Sequence, residues 1–137
     1  LAFSGSNVFV ANTDLGTIVR IPVQPDGSAA EPVIFRQDAQ LWGADGIIAD
    51  AVGNLYVANI GQNTLLRVTP NGRIEQLADA RDGLDGPSSL RFGTQIAERA
   101  EIYFVNYAFL TAVTGGNPKP SLMRITVPIA GTSIPGL

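Results

Sequence analysis

With 137 residues, 45% of them hydrophobic, the chain carries enough apolar material for one domain with a core. A formal charge of −3 argues against nucleic acid, which selects a basic face, and nothing in the chain resembles a membrane-spanning run. The chain has no cysteine and no histidine, which removes disulfides, thiol nucleophiles and imidazole chemistry. Any metal here must therefore be held by oxygen, as Ca²⁺ and Mg²⁺ are. The first residues show neither a basic stretch nor a continuous apolar run, so no signal sequence is expected among them.

The predicted elements are short strands separated by turns. Leu1–Phe3 reads as a clipped strand, followed by strands at Asn7–Asn12, Gly16–Pro22 and Glu31–Phe35, with Pro25-Asp26-Gly27 as a turn. Leu1 opens inside a strand, so it is not expected to be a natural start. The next group is Gly46–Asp50, Asn54–Asn59, Thr64–Thr69 and Arg73–Ala78. Its turns are Asp50–Asn54, where Gly53 can take positive φ, and Pro70-Asn71-Gly72. Leu55-Tyr56-Val57-Ala58 is apolar on both faces, as expected of a sheet covered on both sides. The third group has strands at Ser88–Phe92, Ile102–Asn106 and Ser121–Val127, with a turn through Glu98 and Arg99. Beyond Val127 the chain passes Pro128, Gly131, Pro135 and Gly136 without a fourth strand.

These groups repeat. Val8-Phe9-Val10-Ala11-Asn12 returns as Leu55-Tyr56-Val57-Ala58-Asn59 and as Ile102-Tyr103-Phe104-Val105-Asn106, a step of 47 residues each time. Thr17–Ile21 returns as Thr64–Val68 and Ser121–Ile125; the last arrives ten residues late, which places an insertion in Tyr107–Pro120. A fixed period in the forties built from short apolar strands predicts an all-β fold, a β-propeller with one blade per repeat. The chain reads as one partial propeller domain, residues 1–137, with blades at about 1–42, 43–85 and 86–137, the last lacking its outer strand. Closed propellers have typically 4–8 blades, so a partner segment is expected: a missing N-terminal half or a second copy.

Alternating strand direction sorts the loops. Gly43-Ala44-Asp45, Gly86-Pro87-Ser88, the loops after Asn12, Asn59 and Asn106, and the insertion share one face. The Asp50–Asn54 turn lies on the other. Any site is expected on the first face. Arg20, Arg67 and Arg124 recur at one strand position, which points to packing or pairing. Ser88 and Ser89 lie near the mouth without His or Lys beside them in sequence, a poor setting for a nucleophile.

The stretch Gly43-Ala44-Asp45-Gly46 through Asp50-Ala51-Val52-Gly53-Asn54-Leu55-Tyr56-Val57-Ala58-Asn59 resembles the SMP-30/gluconolactonase/LRE-like (regucalcin-like) family. Pro87–Gly93 with Ile102–Asn106 is similar to that family's next blade, and Leu1-Ala2-Phe3 with Val8–Asn12 to the one before. The resemblance implies the C-terminal half of a six-bladed ring. It further implies one divalent cation, Ca²⁺ foremost with Zn²⁺ or Mg²⁺ as alternatives, held by a Glu, an Asn and an Asp. The Asp falls on Asp45, which the family also uses as general base in hydrolysing lactones; the other two ligands fall before Leu1. The implied substrate is a small lactone or ester, with Asn59, Asn106, Trp42 and Phe109 expected to contact it. The insertion, with Phe109, Leu110, Gly115, Gly116 and Pro118, is the expected specificity element. The Gly/Pro-rich tail resembles extracytoplasmic bacterial members and implies a periplasmic or secreted location. The Asp-x-x-Gly-Asn-Leu-Tyr-Val-Ala-Asn pattern is shared with NHL repeats, so the alternative is a non-enzymatic, NHL-like module that binds a protein or another ligand. Neither nucleic acid nor a membrane is an expected partner.

Overall fold

The structure, a computed structural model, describes residues 1–132. Three antiparallel sheets follow one another along the chain. The first is β1 (Ala2–Ser4), β2 (Asn7–Asn12), β3 (Thr17–Pro22) and β4 (Val33–Gln37), paired in that order. The second repeats the plan with β5 (Ala44–Ala49), β6 (Leu55–Asn59), β7 (Thr64–Val68) and β8 (Ile74–Ala78). The third has β9 (Pro87–Phe92), β10 (Glu101–Asn106) and β11 (Ser121–Thr126). The innermost strands β1, β5 and β9 pack side by side. Three consecutive up-and-down sheets with neighbouring first strands are three blades of a β-propeller, as the repeat predicts. No helix among the described residues is long and apolar enough to cross a membrane.

Packing follows strand parity. Along β6, Leu55 and Val57 enter the core shared with Phe9 and Ile18 of the first blade, while Tyr56 faces Ile102 and Phe104 of the third. On β7, Leu66 and Val68 turn to the first blade and Leu65 to the third. The middle blade is thus apolar on both faces because both are covered. The outer faces of the flanking blades are open: Phe3 and Ile34 on one side are 65% and 64% exposed, and Leu122 on the other is 71% exposed.

The Asp50–Asn54 turn is built by one buried carboxylate. Asp50 Oδ1 accepts the backbone N–H groups of Val52 and Asn54 at 3.0 and 2.9 Å. Its Oδ2 accepts Asn54 Nδ2 at 2.7 Å and the Tyr56 hydroxyl at 3.2 Å. Gly53 takes φ 87°, which closes the hairpin without strain. Burial, and then the Asp50 charge, push the Tyr56 phenol up to about 12.

Strand ends fall within two residues of expectation, and two differences stand out. The fourth strand of the first blade runs Val33–Gln37 and not Glu31–Phe35, because an isolated Val23–Ala29 bridge lengthens the preceding turn. The insertion is not purely loop: Phe109–Val113 forms a short helix, α1. The third blade has three strands among the described residues, in keeping with the sequence, and the tail returns to the second blade, where Gly131 bridges Asp50 and Ala51 N–H donates to Ala130 O at 3.0 Å. Pro135 and Gly136 lie outside the described residues.

Gly46 measures how closely the inner strands approach. A Cβ there would collide with the Ser88 carbonyl oxygen, a backbone atom that cannot swing aside. Gly46→Ala should therefore cost about 1–3 kcal/mol, the usual range for overpacking. An unchanged urea midpoint would refute this close contact of β5 and β9.

Candidate functional site

The strand β5 opens with a bulge. Ala44 pairs with Asn59 and Gly46 with Ala58, which leaves Asp45 without a partner on β6 and its side chain exposed. Bulges re-aim side chains, and this one turns a carboxylate out at the start of an inner strand. The corner before it is tied down: Gly43 N–H donates to Thr13 O at 2.9 Å, and the Thr13 hydroxyl donates to Ala44 O at 2.8 Å. The four ion pairs among the described residues (Arg36–Asp38, Arg67–Glu75, Arg81–Asp79 and Arg124–Glu101) leave Asp45 out. The third blade repeats the bulge at the same place, where β9 slips register opposite Val105 and Ser88 and Ser89 stand in the position of Asp45-Gly46.

Asn59 and Asn106 turn their side chains inward, onto the loops. Asn59 is fully buried; its Nδ2 donates to Gln40 O and Trp42 O, both at 2.9 Å, and its Oδ1 accepts Gln62 N–H at 3.0 Å. Asn106 donates to Gly83 O at 2.9 Å and to Ser121 Oγ at 3.0 Å, and accepts Asp85 N–H at 3.1 Å. Asn12 holds its own loop in the same way, accepting Leu15 N–H at 3.1 Å. Both predicted substrate amides are spent on loop backbone that the blade junctions take out of water. In this structure they shape the face by holding its loops.

Trp42 and Asp45 are three residues apart but do not share a cavity. Trp42 is 55% exposed and lines an open groove of about 540 Å³ between the first two blades, with Asp14, Leu15, Gln37, Asp38 and Gln62. Phe109, on α1, stacks on Tyr107 with ring centroids 5.6 Å apart, and both rings are exposed on the insertion. Of the repeated arginines, Arg67 pairs with Glu75 across the sheet and Arg124 with Glu101, while Arg20 stands exposed opposite Phe9 and Val33. Pairing is thus shared by two blades of the three.

Sequence reading missed Asp85. Buried at the corner before β9, it accepts the Thr111 hydroxyl on one carboxylate oxygen and Lys119 N–H at 2.9 Å on the other. The Thr111 hydroxyl, then the Lys119 amide, hold its carboxyl below the ordinary value. This tether adds stability above the usual carboxylate range and loses it as pH falls through the depressed folded-state value. The available signal was the repeat itself, which puts Asp85-Gly86 where Trp42-Gly43 stands one blade earlier.

Among the described residues no group of three or more Asp, Glu, His or Cys could hold a metal ion. Ca²⁺ takes 6–8 oxygen ligands. Asp45 fits as one carboxylate of such a set, and the described residues do not complete it.

The sheets and the outturned carboxylate define a propeller with an acidic residue at the mouth of its channel face. The family model described as SMP-30/Gluconolactonase/LRE-like region matches residues 2–102, and the chain belongs to this family. Among solved structures it is similar to a luciferin-regenerating enzyme, at 14% identity and a TM-score of 0.75, covering 96% of this chain and 46% of that one. It is also similar to a calcium-binding protein, regucalcin, from Agrobacterium tumefaciens, at 17% identity and a TM-score of 0.74, covering 98% and 47%. A catalytically inactive virginiamycin B lyase from Staphylococcus aureus, solved with quinupristin, matches at 16% identity and a TM-score of 0.61, covering 91% and 37%. The chain thus spans about half the length, or less, of these solved relatives, and at such identities they establish the fold alone. A search of curated proteins found no match.

Replacing Asn59 with Ala should cost about 2–3 kcal/mol, since it removes three hydrogen bonds and strands buried backbone groups. Chemical denaturation checks this; a loss under about 0.5 kcal/mol would show that the loop does not depend on the amide.

Proposed function

We propose that these blades belong to a metal-dependent lactonase or related ester hydrolase whose chemistry on this chain centres on Asp45. The observation that carries the reading is the Asp-Gly pair of a family member, lifted by a bulge at the opening of an inner strand and left outside the ion pairs. The calcium-binding description of the regucalcin relative supports a divalent cation, Ca²⁺ before Zn²⁺ or Mg²⁺. When bound, such a cation supplies Lewis acidity for a lactone carbonyl. Asp45 contributes one oxygen to its shell and takes the proton from the attacking water, a role that requires neither His nor Cys.

The remaining ligands, and cover for the open blade faces, come from outside this chain: the other half of the ring or a second copy. The apolar faces carrying Phe3, Ile34 and Leu122 support such a companion. The substrate is a small lactone or ester; nucleic acid and membrane are not partners in this reading. The competing NHL-like binding module rests on the shared turn pattern alone.

Asp45→Asn in the intact protein should lower lactone hydrolysis about 10²-fold or more, the usual scale of a lost general base. Calorimetric Ca²⁺ affinity should fall with it, while the unfolding free energy stays within about 0.5 kcal/mol, because the residue is exposed. Full turnover with normal Ca²⁺ binding would remove Asp45 from the mechanism.

A further inference from the structure

Two grooves one repeat apart differ in what fills them. The first lies beside Gly16 and Trp42, is open, and measures about 540 Å³. The second lies beside Asn63 and Asp85 and is narrowed to about 230 Å³, with Thr111, Asn117 and Lys119 of the insertion in its wall. The two are built alike. Gly16 and Asn63 precede the third strands with φ of 58° and 54°, and Gly43 and Gly86 precede the inner strands with φ of 86° and 62°. Asp85 therefore occupies the corner that Trp42 occupies one blade earlier.

Around Asp85 the chain is fastened at four points. Its N–H donates to Asn106 Oδ1 at 3.1 Å, and its C=O accepts Ala108 N–H at 2.9 Å. Its carboxylate takes the Thr111 hydroxyl from α1 and the Lys119 N–H from the far end of the insertion. Tyr107 N–H also donates to Gly86 O at 2.9 Å, which fixes the insertion to the corner leading into β9. On its outer side the fastened segment presents the stacked Tyr107 and Phe109 rings, with Leu110 and Val113 also exposed.

We propose that Asp85 is a positioning residue that seats the Tyr107–Pro120 insertion in the interblade groove. It thereby holds an apolar, aromatic surface beside the mouth that selects lactones or esters bearing an apolar substituent over small unsubstituted ones. The selectivity rests on the hydrolase reading above; the seating does not.

The test compares the intact protein with Asp85→Ala, Asp85→Asn and Thr111→Val. Amide exchange by mass spectrometry reads the seating, and hydrolysis of γ-dodecalactone and γ-butyrolactone reads the selectivity. Exchange across 108–119 should rise most in Asp85→Ala and partly in Asp85→Asn and Thr111→Val, which each keep some of the bonds. The preference for γ-dodecalactone should fall about tenfold in Asp85→Ala, through KM and not kcat. Unchanged exchange in both Asp85→Ala and Thr111→Val overturns the seating; if Asp85→Ala does not fold, Thr111→Val decides alone. Raised exchange with an unchanged preference overturns the selectivity. If neither lactone is hydrolysed the reaction class is wrong, and exchange still decides whether Asp85 seats the insertion.

Discussion

The middle sheet has no face left for water, and the rest of the structure is arranged around that constraint. Alternate residues of β6 and β7 fill two separate cores, so each neighbouring blade must come within packing distance on its own side. At the inner edge, where strands converge, that distance leaves no space for a side chain between β5 and the Ser88 backbone, and the residue there is Gly46. The bulge is registered on the same two positions: Gly46 returns to pairing with Ala58 after Asp45 has been skipped. Close packing of the inner strands and the outward carboxylate are thus adjacent consequences of one local geometry. A site at this corner inherits its rigidity from the blade stack, with no contribution from a flexible loop.

The repeated asparagines follow from the same stacking. Where sheets press together, the loops that join them lose solvent, and their carbonyl and amide groups need partners within the protein. Asn59 meets that need from the end of β6, bonding Gln40 and Trp42 on one side and Gln62 on the other. Asn106 does the equivalent for Gly83 and Asp85. An amide suits the task because it carries donors and acceptor on one short side chain. Repetition of a polar residue on this face thus follows from repeated loops that need the same partner.

How far the sequence could be read depends on how local each signal is. The strands and hairpins were legible because alternation and Gly-containing turns act over a few residues, as at Asp50–Asn54. The repeat then gave the blades, and the resemblance of Gly43–Asn59 to the family singled out Asp45. The helix α1 was not legible: five residues including Thr111 and Val113, with an Ala108 start at φ 55°, carry no helical pattern. Where the side chains of Asn59 and Trp42 point was not legible for a related reason. A sequence shows that a residue ends a strand or opens a loop, but not whether its side chain turns inward to backbone or outward to a cavity. Asp85 lay furthest from view, since its partner Lys119 is 34 residues away.

One buried acid ties two distant points of the insertion to a single corner. The equivalent connections in the first two blades, Thr13–Gly16 and Ile60–Asn63, have four residues each, whereas Tyr107–Pro120 spans the gap between β10 and β11. Closing a loop of that greater length costs only about 1 kcal/mol more, because closure entropy grows with the logarithm of length. Ordering its backbone is the larger demand. Much of the segment is exposed and returns little by burial, so order must come from its few strong attachments. A hydrogen bond to a charged group contributes about 1.5–3 kcal/mol, roughly twice a neutral one. Asp85 provides two, placed on α1 and on Lys119, two residues before β11 enters the sheet. Fastening both ends leaves the exposed Gly115-Gly116 turn between them unconstrained by the core, while the Tyr107–Phe109 pair stays beside the fixed corner. A blade can thereby alter what it offers at the mouth through one corner residue, without disturbing the strands that hold Asp45.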